Sequence, residues 1–167
     1  MSGIGHLAVG FALKPTAPQV PLWVLLAASE TNDLLYFVFT KVGIEKEVNI
    51  TIDFQQGVRY LSTSTNPWSH GLFMSSVWAA AAASIAYLVY RDRRAASVVG
   101  LTVFSHWLLD FLMHSNLPLF FAGSPLLGIG LENTGPGLIF MTALDLCLVA
   151  GGLVIYFLNR KRIKNTL

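Results

Sequence analysis

The sequence predicts an all-α membrane protein: a polytopic helical bundle of four transmembrane spans, with a short membrane-associated helix ahead of them. Three observations predict it. Hydrophobic residues make up 54% of the chain and Asp, Glu, Lys and Arg only 12%, about half the charged share usual in a soluble domain. Mean hydropathy is +0.59, more apolar surface than 167 residues can hide, because roughly a third of the unfolded area stays exposed on folding. The apolar residues also fall into runs of about 20, the number a helix needs to cross a hydrocarbon core. This composition excludes disorder, a disulfide scaffold and a solvent-facing nucleic-acid binder, and argues against an ordinary cytosolic enzyme. The length fits a single integral-membrane domain over residues 1–167.

The elements follow in order. Gly3 to Leu13 is apolar for about half a span and stops at Lys14-Pro15, which reads as a short helix, half-inserted or interfacial. No Lys or Arg precedes Lys14, so this stretch lacks the basic start of a secretory signal. The first span runs from about Val20 to Val42, and Gly43 to Pro67 is a polar loop. The second span runs from about Trp68 to Tyr90, and its Ala79–Ala83 run offers a small-residue face for close helix approach. The third runs from about Ala95 to His114. Ser115 to Gly135 is broken by Pro118, Pro125 and several glycines and reads as a loop or re-entrant piece. The fourth runs from about Pro136 to Asn159 and carries the single cysteine, Cys147, which precludes an intramolecular disulfide.

Orientation follows from the basic residues of the short connections. A cytoplasmic C-terminus gathers Lys14, Arg91, Arg93, Arg94, Arg160, Lys161, Arg162 and Lys164 on one side, leaving Lys41, Lys46 and Arg59 on the other. Four spans return Lys14 and the tail to the same face. The tail then reads as a stop-transfer anchor on anionic lipid rather than a nucleic-acid contact.

Ionisable groups inside a span are costly and usually face a partner or a wet cavity. Glu30 and Asp33 lie in the first span, His70 at the start of the second, His106, Asp110 and His114 in the third, and Asp145 in the fourth; His6 lies in the short first helix. His106, Asp110 and His114 are four apart, so each is turned only about 40° from the last along one helix face. An imidazole and a carboxylate at that spacing can grip one metal ion. At ~1.5 Å per residue, Asp33, His106 and Asp110 reach similar heights in the outer half, with His6 near mid-depth. Plainer readings stand beside this one. His106 and Asp110 could be an ion pair cementing the bundle, and His114 could be solvated at the membrane edge. Asp145 could partner or orient a histidine, and Glu30 could be a ligand, a general base or a paired structural acid.

The motifs Gly5-His6, an acidic segment ending in Asp33, Trp68-Ser69-His70-Gly71 and Ser105-His106-Trp-Leu-Leu-Asp110 come in that order. Their order resembles that of the bacterial inner-membrane proteins described as membrane-bound metal-dependent hydrolases, some labelled LexA-binding. Those carry an early Gly-His, an Asp-x-Asp, a Thr-His-Ser and a Ser-His-x-x-x-Asp. The resemblance covers about residues 3 to 120. The family in turn looks like a distant relation of the zinc-dependent phospholipase C and single-strand nuclease superfamily. In place of Asp-x-Asp this chain has Glu30-Thr-Asn-Asp33, so one acid is displaced.

Residues and resemblance together lead to one expectation: a divalent metal, zinc favoured, held by His6, Asp33, His70, His106 and Asp110. Glu30, or Asp33 where it is not a ligand, is the candidate catalytic base. The expected reaction is hydrolysis of a phosphoester or other ester in an amphiphilic or lipid-like substrate, in the bacterial inner membrane. Two rivals remain: a small proton- or metal-ion transporter, which would need to oligomerise to build two gates, and a non-enzymatic membrane scaffold.

Overall fold

The structure, a computed structural model, describes residues 3–53, 55–60 and 65–161. It is mostly helical. Helix α1 (Gly3–Leu13) leads through a 3-10 turn (Lys14–Thr16) to α2 (Leu22–Ser29) and α3 (Thr31–Lys41). A hairpin of β1 (Ile50–Asp53) and β2 (Gly57–Tyr60) precedes the long helices α4 (Leu72–Tyr90) and α5 (Arg93–Met113). A short pair, β3 (Leu117–Pro118) and β4 (Leu126–Leu127), and a second 3-10 turn (Leu131–Asn133) lead into α6 (Gly135–Leu158).

Helices α4, α5 and α6 have 19, 21 and 24 residues and are long and apolar enough to cross a membrane, at about 28 to 36 Å of rise. Their surroundings differ. The apolar window of α5 is 56% buried against 22% for α4 and α6, so α5 is the central post. Outer faces of α4 and α6 carry exposed Ile85, Leu88, Val89, Leu146 and Val154, a surface that suits hydrocarbon better than water. The small-residue face of α4 meets α5: a Cβ on Gly100 would lie 2.9 Å from the Ala83 Cβ and 3.0 Å from the Ala79 carbonyl oxygen. Helix α6 packs chiefly on α1. At the head of α5 the Asp92 carboxylate accepts from the Ala95 N–H at 2.6 Å, a side-chain cap on an orphan donor.

Two stretches differ from expectation. Val20 to Val42 is not one helix: α2 and α3 are bent by 59° at Glu30. At the break Ser29 Oγ donates to the Leu26 carbonyl at 2.8 Å and Thr31 Oγ1 to the Ala27 carbonyl at 3.1 Å, and the polar run Glu30-Thr31-Asn32-Asp33 follows. The polar stretch after Val42 holds a hairpin rather than loop alone, with Ile50 opposite Tyr60 and Asp53 opposite Gly57. Its turn is closed by the Asp53 carboxylate, which accepts from the Gln55 N–H at 2.7 Å. Between α1 and α2, buried Lys14 donates through Nζ to the Pro18 and Val20 carbonyls, both at 2.6 Å. Burial pushes that ammonium's pKa down.

Candidate metal centre

The polar stripe of α5 sits where the chain encloses it most. Asp110 is 3% exposed at its side chain, and four histidines surround it. Its Oδ1 lies 3.3 Å from His6 Nε2 and 3.5 Å from His114 Nε2. Its Oδ2 lies 3.3 Å from His106 Nε2 and 3.6 Å from His70 Nε2. Asp33, on the first turn of α3, joins from the other side: Oδ1 is 3.2 Å from His70 Nε2 and 3.6 Å from His106 Nε2. The rings of His6 and His106 stack at 3.6 Å between centroids, which ties α1 to α5 at the level of the cluster.

Partners of the opposite ring nitrogens settle the tautomers. His106 Nδ1 is 2.7 Å from the Ser29 carbonyl oxygen; a carbonyl only accepts, so Nδ1 carries the proton. The bend after Ser29 places that carbonyl, so the broken helix is part of the site. His70 Nδ1 is 2.8 Å from Ser69 Oγ, whose own proton goes to Glu45 Oε2 at 2.7 Å. Ser69 Oγ therefore accepts from His70. Glu45 is buried and held by the N–H groups of Trp68 and Ser69 at 2.8 and 3.0 Å. His114 Nδ1 donates to Glu132 Oε1 at 2.6 Å. In all three rings Nε2 faces Asp33 or Asp110, as a lone pair in the neutral ring and as an N–H in the imidazolium. Lone pairs against carboxylate oxygens repel unless a proton or a cation lies between them. His106 Nε2 is buried and has no hydrogen-bond partner, the kind of orphan a cation satisfies.

The spacings fit an ion. Two sets, His6–Asp33–His106 and His70–His106–Asp110, each bring three donor atoms within 4.8 Å of one another. The five residues expected as ligands thus come together from α1, α3, α5 and the turn before α4. Glu30 occupies the bend between α2 and α3 and keeps Oε1 buried without a hydrogen-bond partner; it lies outside both donor sets. Asp145 is buried on α6 and is also outside them. Trp107 is buried on α5 against Phe104 and Phe111.

Several contributors carry no motif. Glu132 is 18 residues from His114 on a glycine-rich connection, and the Ser29 carbonyl is backbone. Only the Ser69-His70 adjacency was visible in sequence. Beside the cluster opens a cavity of about 330 Å³, lined by Asp33, His70, His114 and Glu132 together with Tyr36 and Asn66. Asn66 keeps its Oδ1 without a partner, and the Tyr36 hydroxyl accepts from the Val48 N–H at 3.1 Å. No protein-family model, curated protein or solved structure matches this chain.

Proposed function

We propose that the chain is a membrane-embedded, metal-dependent hydrolase, zinc being the favoured ion, that cleaves a phosphoester or other ester of an amphiphilic or lipid substrate. One observation carries the reading: His106 spends its Nδ1 proton on the Ser29 carbonyl and leaves a buried, unpartnered Nε2 between Asp33 and Asp110. Magnitudes favour a cation over a plain ion pair. Charge-assisted N–H···O bonds run about 2.7–2.9 Å, whereas the Nε2–carboxylate separations here are 3.2 to 3.6 Å. Ligand atoms at about 2.0–2.1 Å around a tetrahedral zinc stand roughly 3.3–3.5 Å apart. A donor set of imidazoles and carboxylates suits zinc.

His6, Asp33, His70, His106 and Asp110 would hold the ion. When bound it supplies Lewis acidity, acidifying a nearby water and polarising the ester oxygen. The chain's own groups do the rest. Ser29 and Ser69 hold His106 and His70 with the proton on Nδ1, which raises ligand basicity, and Glu132 holds His114 beside Asp110. Glu30 takes the proton of the attacking water, a role that falls to Asp33 where it is not a ligand. The cavity receives the polar part of the substrate, with Asn66 and Tyr36 in its lining. The bilayer completes the picture. Helices α2 and α3 form one broken span that brings the count to four, and α1 is half-inserted. The C-terminus is cytoplasmic, in a bacterial inner membrane, with the centre in the outer half. The order of histidine and aspartate motifs supports placing the chain beside the membrane-bound hydrolases it resembles.

Elemental analysis of the purified protein tests the centre. The expected result is stoichiometric zinc in the wild type and its loss in His106→Ala and Asp110→Ala. No metal in the wild type, even after zinc reconstitution, rejects the proposal. With metal present, hydrolysis across a phospholipid panel supports the enzyme, while metal flux into proteoliposomes without hydrolysis supports the transporter.

A further inference from the structure

The turn that carries Glu132 is held from outside. Glu132 is buried, and its carboxylate fixes His114 Nδ1 at 2.6 Å. Against this turn packs β2, which also touches α6. A close backbone approach is at Gly57, the first residue of β2. Gly57 has φ +91°, and a Cβ there would lie 2.5 Å from the Asn133 carbonyl carbon, the Glu132 carbonyl oxygen and the Thr134 nitrogen. All three are backbone atoms, so no side-chain rotation relieves the collision. The next residue, Val58, is buried.

We propose that Gly57 is a positioning residue for the metal centre: its bare backbone lets the hairpin seat against residues 132–134 and so fixes Glu132 on His114. Gly57 acts through Glu132, Glu132 through the His114 ring, and that ring turns Nε2 toward Asp110. The inference deepens the metal reading and rests on it for one readout. Its other readout, the His114–Glu132 hydrogen bond, is independent of any ion.

The test uses the full chain in nanodiscs and two measurements. Zinc affinity is read by competition with a chelator, with the visible spectrum of the cobalt-substituted protein as a signature of coordination. The His114 Nδ1–H resonance is read by ¹⁵N-histidine NMR without metal. Gly57→Ala should weaken zinc several-fold, alter the cobalt spectrum and displace the His114 resonance. Gly43→Ala is the matched control: Gly43 has φ +79° with nothing within 4 Å of a Cβ, so it carries the same backbone strain without the collision. It should behave as wild type. Val58→Ala loosens the same seat without a clash and should shift both readouts in the same direction, less strongly. Glu132→Gln combined with Gly57→Ala should bind zinc no more weakly than Glu132→Gln alone.

Wild-type affinity and an unmoved resonance in Gly57→Ala, or equal effects in Gly57→Ala and Gly43→Ala, overturn the inference. Should Gly57→Ala not fold, Val58→Ala decides, and an unchanged resonance there overturns it. A wild type that takes no zinc rejects the hydrolase instead, and the His114 resonance still decides Gly57.

Discussion

Asp110 and Asp33 have different weights at the same centre. Asp110 faces Nε2 of His6, His70, His106 and His114 and is 3% exposed, whereas Asp33 faces only His70 and His106 and is 45% exposed. Water can replace part of what Asp33 supplies and little of what Asp110 supplies. Asp110→Asn should therefore weaken zinc binding much more than Asp33→Asn, measured by chelator competition at fixed pH. Equal losses would mean that Asp110 only braces the histidines. The same rings set the pH dependence. Imidazoles ligate only when neutral, so protons compete with metal and zinc affinity should fall as pH is lowered, with the histidine variants showing a shallower slope. Part of this site was legible in sequence, because His106 and Asp110 share one face of α5, whereas the height counted for Asp33 assumed an unbroken helix that the bend at Glu30 removes. The partners of Nδ1 were not legible. Ser29 contributes a carbonyl that any residue could offer, and Glu132 reaches His114 across a turn that no spacing rule relates to α5.

Among the elements, the bend at Glu30 and the contact of α4 with α5 matter most. Averaged hydropathy hides the bend, since Val20 to Val42 is apolar as a whole, although the polar run Ser29-Glu30-Thr31-Asn32-Asp33 sits at its middle. Had the run been one straight helix, the Ser29 carbonyl would lie in its ladder, and His106 would lose its anchor. A close approach through Ala79–Ala83 was legible from the small residues, but not that α5 would be the partner, nor that Ala79 and Ala83 rather than the exposed Ala80 and Ala81 make it. Gly100→Leu tests it. The added side chain meets Ala83 at 2.9 Å and the Ala79 carbonyl at 3.0 Å, and overpacking of this kind costs about 1–3 kcal/mol. The variant should melt lower in detergent and bind zinc more weakly, since His70 precedes α4 while His106 rides on α5. Gly151→Leu on α6, where a Cβ meets nothing within 4 Å, should leave both measurements unchanged. A lowered melt with unchanged zinc affinity in Gly100→Leu would show that the seam and the centre are uncoupled.

At the scale of the molecule, the position of the centre along the membrane normal ties topology to chemistry. The Arg91, Arg93 and Arg94 cluster closes the α4–α5 turn at one end. His70, His114 and the cavity with Asn116 on its wall lie toward the other ends of those two helices, nearly the full helix length away. If the basic end faces the cytoplasm, as the distribution of Lys and Arg implies, the cavity opens to the outer leaflet and its substrate comes from that side. In a background with Cys147→Ala, Asn116→Cys should react with a membrane-impermeant maleimide in intact cells, and Arg93→Cys should react only after permeabilisation. The substitutions report opposite ends of the same two helices, so one pair of measurements fixes their direction. The reverse pattern would leave the metal centre intact but turn it toward the inner leaflet, and the substrate would then have to be sought among lipids and lipid-linked esters of the cytoplasmic face.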